Sequence, residues 1–283
     1  MRADAIRVPR RRASRKPLQA HCLNPWNSFH EYRPIQKINF KNVSSMAMLG
    51  LRFHPGGHAM AELFLVRHGQ ASFGTDDYDR LSPAGEQQGV WLGEYFARQG
   101  LTFDRVICGT MNRHAQTVDA ILRGMGREGA PVDRHPGLNE YDFHGLFAAA
   151  ASDYPEIARL AAGSMKEHFR ALRQVLHLWA DDKLGDTAPE TWAHFQQRVA
   201  DARAAIRHGG TQRVLAVSSG GPIAVTVQQV LAAPPSSAIA LNLQIRNSSL
   251  SQFFFNAEAF HLASFNGIPH LEDPERHAWR TYG

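Results

Sequence analysis

Residues 63–69, Leu-Phe-Leu-Val-Arg-His-Gly, constrain this chain more than any other stretch: four apolar residues end abruptly in a cation, an imidazole and a glycine. A run that short, apolar on both faces, reads as a strand buried inside a sheet. Its ending puts Arg67 and His68 at the sheet's carboxyl edge, where open α/β folds bind their ligands. An imidazole there is a candidate nucleophile, and the arginine beside it a candidate phosphate clamp.

The rest of the chain repeats the strand-then-helix pattern. Apolar runs at 62–66, 104–108 and 213–217 read as buried strands. Ser82-Pro83-Ala84-Gly85-Glu86 has the form of a helix start, with a capping serine, proline in the first turn and an acid near the positive dipole end. That helix runs through Val90, Leu92, Tyr95 and Phe96 and stops at Gly100; a second runs from near Asn112 through Val118, Ile121 and Leu122 to Gly124. Two late runs, 252–256 and 260–265, read as strands. Alternation of this kind predicts a sheet with helices on both faces. Between 155 and 208 the pattern is purely helical, with one apolar stripe at Met165, Phe169, Leu172, Leu176 and Trp179 and another at Trp192, Phe195, Val199, Ala202 and Ile206. These predict a helical layer over the sheet. The parallel basic stripe Lys166, Arg170, Arg173 and His177 reads as a solvated face rather than a rim that selects acidic substrates.

Charge separates the chain into two parts. Residues 1–59 hold eleven Lys or Arg against Asp4 and Glu31, a net of +9, while 20 basic and 24 acidic residues beyond them give −4. The basic segment has no core-building pattern and reads as a disordered extension or as a start placed too far upstream of Met60, ahead of one domain over 60–283. No apolar run approaches the roughly 20 residues that span a bilayer. Cys22 and Cys108 make no disulfide framework, so a reducing, cytoplasmic setting is expected, with Cys108 a buried structural thiol. His54 and His58 are four apart, but Pro55-Gly56-Gly57 between them forbids the helix that would make them a metal pair. Neither a metal nor a cofactor is expected, nor a nucleic-acid or membrane partner; the oligomeric state is left open.

Three further segments carry chemistry: Arg113-His114-Ala115-Gln116-Thr117, Gly137-Leu138-Asn139-Glu140-Tyr141-Asp142 and Ser218-Ser219-Gly220-Gly221. A guanidinium at Arg113, early in a helix, opposes the dipole and wants an anion, which phosphate would supply. With Arg67-His68-Gly69 these segments resemble the histidine phosphatase superfamily, the phosphoglycerate mutase-like phosphatases, from Met60 onward. The resemblance implies a three-layer α/β/α fold with a mostly parallel sheet. It implies His68 as nucleophile, Arg67 and Arg113 as phosphoryl clamps and Glu140 as general acid, with Asp142 the lesser candidate for that acid. Gly69, Gln70, Ser219 and Gly220 become candidate substrate-binding residues.

Several positions depart from the family pattern. Arg-Ala-x-Gln-Thr is matched here at the Arg, Gln and Thr positions only, and Cys108-Gly109-Thr110-Met111 stands for Ser-Ser-Pro-Leu. The late Ser-His-Gly-Gly becomes Ser218-Ser219-Gly220-Gly221, so Ser219 replaces a second active-site histidine. A neutral hydroxyl bond in place of a charged one is a handicap of about ten- to a hundred-fold in rate, while Gly220, Gly221 and Pro222 still read as a helix amino end that attracts an anion. His270 reads as a surface loop residue, not a substitute for that histidine. The leading expectation is a metal-independent phosphomonoesterase acting on a phosphorylated small molecule, with protein phosphate possible as substrate. A phosphate-binding pseudoenzyme and a phosphoglycerate mutase are the alternatives.

Overall fold

Along the first strand the apolar side chains divide between two cores, Leu63 and Leu65 in one and Phe64 and Val66 in the other, as the two-residue period of a strand requires. The computed structural model describes residues 60–72, 79–208 and 210–282; the basic segment 1–59, and with it the reading of an extension or an upstream start, lies outside the described residues. In chain order the elements are β1 (Ala61–Arg67), α1 (Pro83–Arg98), β2 (Arg105–Cys108), α2 (Asn112–Gly124), β3 (Asp133–Arg134), α3 (Phe143–Ala150) and α4 (Pro155–Ala161). There follow α5 (Met165–Ala180), α6 (Trp192–Arg207), β4 (Arg213–Ser218), α7 (Gly220–Val230), α8 (Pro235–Asn242), β5 (Leu250–Phe255) and β6 (Phe260–Gly267).

The six strands form one sheet in the order β3-β2-β4-β1-β5-β6. Strands β3, β2, β4 and β1 are parallel, and β5 runs antiparallel to both β1 and β6, so β5 alone opposes the common direction. Leu92 and Phe96 of α1 and Val118 and Ile121 of α2 cover the Phe64 face, while residues of α5, α6 and α7 cover the Leu63 face. This is the three-layer α/β/α architecture with a mostly parallel sheet. Among the described residues no helix is long and apolar enough to cross a membrane.

Local chemistry sets the element boundaries. Ser82 Oγ accepts from the Gly85 amide and Pro83 opens α1, and the chain leaves that helix through Gly100 at φ +65°, a conformation glycine adopts without strain. In the helical layer Trp192, Phe195, Val199, Ala202 and Ile206 are all buried. Trp179 packs between Trp192 and Phe195, with ring centroids 4.9 and 5.2 Å away. The α5 stripe divides: Leu176 and Trp179 enter the core, whereas Met165 is 55% exposed. Lys166, Arg170, Arg173 and His177 are exposed, as a solvated face should be.

Two close backbone approaches position the site. A Cβ on Gly93 would lie 2.0 Å from the Ile121 carbonyl oxygen, and one on Gly124 would lie 2.1 Å from that of Val90, so α1 and α2 touch through their glycines. Nearer the sheet edge, a Cβ on Gly69 would lie 2.3 Å from the Gly85 carbonyl oxygen. The last turn of α2 is thereby held against the second half of α1, and the residues after β1 against its start. Because the Gly93 contact is backbone, Gly93→Ala forces the helices apart and is expected to lower stability by about 1–3 kcal/mol. Urea unfolding should show a lower midpoint at unchanged slope; an unshifted midpoint would mean that α1 can slide along α2 without loss.

Candidate active site

The parallel pairing of β1 with β4 sets Arg67 opposite Ser218, so both strands end at one edge and their next residues, His68 and Ser219, emerge side by side. The backbone keeps that edge together: the His68 amide donates to Ser218 and the Arg67 amide to Ser249, at 2.9 and 3.0 Å. Arg67 also bonds the Ile245 carbonyl through its guanidinium. Arg67, His68 and Arg113 are all buried.

His68 Nδ1 lies 2.7 Å from the Gly69 carbonyl oxygen. A carbonyl only accepts, so the hydrogen of the neutral ring sits on Nδ1 and the Nε2 lone pair is left for chemistry. Arg113 Nε donates to that Nε2 at 3.3 Å. Burial, then the charges of Arg113 and Arg67, hold the imidazole well below the ordinary histidine value of 6.5. It is a neutral base flanked by two cations.

Arg113 has an anion that the sequence reading assigned to phosphate alone. Asp79 pairs with its Nη1 at 2.9 Å and accepts from the Asn112 amide at 2.8 Å, so one carboxylate offsets the guanidinium and caps α2. The other matched positions in this segment are structural. Thr117 Oγ1 accepts from the Gly69 amide and donates to the Arg113 carbonyl, and Gln116 accepts from the Leu81 amide.

Glu140 comes from the opposite side. Both of its carboxylate oxygens accept from the Gly221 amide, at 3.1 and 3.2 Å. The amino end of α7, read from the sequence as an anion site, thus holds a carboxylate of the chain itself. The group faces the cavity yet lies deep in the fold; burial raises its pKa, opposed by the Gly221 amide and by Arg113 and Arg67. Asp142, the other candidate acid, instead caps α3 by accepting from the Gly145 amide.

Arg67, His68, Arg113 and Glu140 line one cavity of about 310 Å³. Its remaining walls are largely apolar: Phe143, Met165, Phe169, Leu172, Leu243 and Ile245, with His168, Asn242 and Tyr282 among them. The apolar stripe on α5 therefore serves two purposes, since its first half lines this cavity. Gly69, Gln70, Ser219 and Gly220 do not line it. Gly69 and Gln70 are turned toward Thr117 and Gln88 through their amides, and Gly220 packs against the Asn242 side chain. Ser219 is buried with its hydroxyl 2.7 Å from Nε2 of His114.

Two histidines differ from their sequence reading. His270 is not on the surface: it is 1% exposed, in a short 3-10 turn, with Nε2 2.8 Å from Ser248 Oγ. It does not line the cavity, so it does not substitute for the missing histidine. His114, read only as a mismatch within a motif, is fully buried, with its ring 5.7 Å from that of His68. Burial, then Arg113, lowers its pKa to about 3. Cys108 is buried as expected, its thiol pushed up to about 11. Among the described residues no group of three or more His, Cys, Asp or Glu is arranged to hold a metal ion.

The chain is 31% identical over 84 residues to the broad-specificity phosphatase YOR283W of Saccharomyces cerevisiae, a match covering 28% of this chain and 36% of that protein. It is 29% identical over 144 residues to the 2,3-bisphosphoglycerate-dependent phosphoglycerate mutase of Xanthobacter autotrophicus, covering 48% of this chain and 67% of the mutase. The chain thus spans between about a third and two thirds of the length of these curated relatives. Among solved structures, the alpha-ribazole phosphatase of Shigella flexneri superposes with a TM-score of 0.53 at 21% identity, over 73% of this chain and 96% of that one, a likeness of fold. The profile of the histidine phosphatase superfamily (branch 1) matches residues 63–267. That match runs from Leu63 within β1 to the last residue of β6 and so takes in all but the first two residues of the sheet and the helices between its strands; the chain belongs to the histidine phosphatase superfamily.

Proposed function

We propose that the protein is a metal-independent phosphomonoester hydrolase that works through a phosphohistidine at His68. The observation that carries this reading is the state of His68: neutral, pinned through Nδ1–H to the Gly69 carbonyl, and lining a cavity with Arg67 and Arg113 on either side. The Nε2 lone pair attacks phosphorus and the P–O bond to the alcohol breaks. The two guanidiniums carry the charge on the phosphoryl oxygens, and the Glu140 carboxyl gives its proton to the leaving alkoxide. The resulting carboxylate then takes a proton from water as that water attacks the phosphohistidine. The P–N bond breaks, its electrons return to Nε2 and phosphate departs.

The apolar wall supports hydrolysis of esters with a hydrophobic alcohol. A mutase must seat a sugar-acid carboxylate, yet Arg67 and Arg113 are the only Lys or Arg side chains among the described residues lining the cavity, and both face the phosphoryl position. A phosphorylated small molecule with an apolar or aromatic group suits the space. Phosphate binding without turnover is the second reading, favoured by a Ser219 hydroxyl that is tied to His114 and does not line the cavity.

Steady-state hydrolysis of p-nitrophenyl phosphate in EDTA by the full chain tests the proposal. Turnover is expected, falling to background in His68→Ala, with an alkali-stable, acid-labile phosphoenzyme trapped on quenching the parent. Vanadate binding with no turnover would establish the second reading instead.

The pH profile follows from the two shifted groups. His68 is lowered, so it stays an unprotonated nucleophile on the acid side of 6.5; Glu140 is raised, so it stays a proton donor to a higher pH than an ordinary carboxyl. The rate should therefore be kept as pH falls through 6.5 and be lost as pH rises through the raised carboxyl value. Glu140→Gln should remove that alkaline limb and slow alkyl phosphates by roughly 10²–10⁴-fold. It should slow p-nitrophenyl phosphate far less, because p-nitrophenolate leaves without a proton. Equal losses on both substrates would sink the assignment of Glu140 as the acid.

A further inference from the structure

Glu140 is held in place by something other than secondary structure. It lies between a short 3-10 turn, Pro136–Leu138, and the start of α3, in a stretch that belongs to no helix or strand, so its backbone carbonyls need partners from elsewhere. They find them on other elements. Arg198, in the middle of α6, donates through Nη1 to the carbonyls of Asn139 and Pro136, at 2.7 and 3.4 Å, and through Nη2 to that of Glu140 at 3.4 Å. Ser218 Oγ, at the end of β4, donates to the Leu138 carbonyl at 2.7 Å. The Asn139 side chain adds two bonds to Thr110, at 2.7 and 2.6 Å, and packs over Gly109, where a Cβ would lie 2.6 Å from its Oδ1 and 2.2 Å from Nδ1 of His114.

The guanidinium that does this is itself fixed. Its Nε and Nη2 donate to the two carboxylate oxygens of Glu190, at 2.9 and 2.7 Å, with the side chains 17% and 16% exposed. A guanidinium has five N–H donors in a planar fork; here two go to Glu190 and three to carbonyls of residues 136–140. A lysine, with one point of attachment, could not serve both sides. The centre of the guanidinium also lies 4.6 Å from the Phe195 ring centroid. Glu190 is anchored through its own carbonyl, which accepts from Trp179 Nε1 at 2.7 Å, and its Oε2 lies 3.0 Å from His194 Nδ1. A Cβ on Gly137 would lie 2.1 Å from the Arg198 carbonyl oxygen, so the turn before Glu140 rests directly on α6.

We propose that Arg198, oriented by Glu190, positions the general acid. The backbone of Glu140 is set by α6 through Arg198, and its carboxyl by α7 through the Gly221 amide; the two helices together fix where the proton donor stands. Arg198 does not line the cavity, and neither it nor Glu190 is hydrogen-bonded to β1 or α2, which carry His68, Arg67 and Arg113. Arg198 is therefore a positioning residue whose effect reaches the reaction through Glu140 alone. The inference rests on the reading of Glu140 as the acid of a phosphomonoesterase.

Four variants of the full chain test it: Arg198→Met, which keeps an apolar stem against Phe195; Arg198→Met with Glu190→Gln, which leaves no carboxylate unpaired; Glu140→Gln; and Arg198→Met with Glu140→Gln. Each is assayed on hexyl phosphate, whose alkoxide needs a proton to leave, and on p-nitrophenyl phosphate, whose phenolate does not. Displacing a catalytic group by about 1 Å costs about 10²-fold, so Arg198→Met, with or without Glu190→Gln, should lower kcat on hexyl phosphate by about that factor, with KM little changed, and lose far less on p-nitrophenyl phosphate. Added to Glu140→Gln, Arg198→Met should cost hexyl phosphate nothing more, because the group it acts through is already gone. A generally loosened fold would slow both substrates alike. Equal losses on the two substrates, a loss that adds to that of Glu140→Gln, or unchanged turnover of hexyl phosphate would overturn the positioning role, as would thermal melts showing that neither Arg198→Met nor its Glu190→Gln double variant folds. Glu140→Gln by itself separates this inference from the reading beneath it. If it spares p-nitrophenyl phosphate while Arg198→Met does not, the positioning role falls and the acid stands; if it slows both substrates equally, the acid assignment falls and the positioning role with it. A parent inert toward both substrates would overturn both.

Discussion

The Gly69 carbonyl oxygen, 2.7 Å from His68 Nδ1, fixes one tautomer of one ring, and the surrounding structure keeps that oxygen in place. The Gly69 amide is held by Thr117 of α2, and its α-carbon rests against the Gly85 backbone at the start of α1. Any side chain at either glycine would push the loop off the helix. The glycine after the nucleophile is therefore needed for backbone approach, and the catalytic orientation of His68 is inherited from the way α1 and α2 meet.

Charge around the ring is arranged by the same economy. Two buried guanidiniums disfavour a protonated His68 and draw anions, but they have to be offset while the site holds no phosphoryl group. Asp79 does this for Arg113 from the solvent side and caps a helix at the same time. Glu140 is near enough to feel both arginines, yet burial outweighs them and raises its pKa. The Gly221 amide fixes its orientation. A carboxyl whose pKa is raised by burial even beside two cations is the combination a general acid needs.

Much of this was legible in the sequence, and the failures have identifiable causes. The end of β1, the serine cap and proline of α1, the span of α2 and the two late strands follow from local rules that tertiary context did not override. Asp79 was missed because it belongs to a polar stretch with no period to read. His270 was misplaced because its burial depends on contacts with Ser248, reached through the return of the chain after β6. The α5 stripe was read only as part of a helical layer over the sheet because periodicity reports a face and not its surroundings: Leu176 and Trp179 enter the core, while Met165, Phe169 and Leu172 line the cavity. His114 counted only as a mismatch because the residues that explain it, Gly109 and Ser219, are 5 and 105 positions away along the chain.

The energetics of His114 bear on why such a residue is present. Leaving a buried polar atom unsatisfied costs about 1–3 kcal/mol, and Nδ1 of His114 is in that state among the described residues. A site that needed only to be filled is better served by an apolar side chain of similar volume, which has no such atom. A buried imidazole beside a serine hydroxyl at the end of a central strand is thus a poor packing solution.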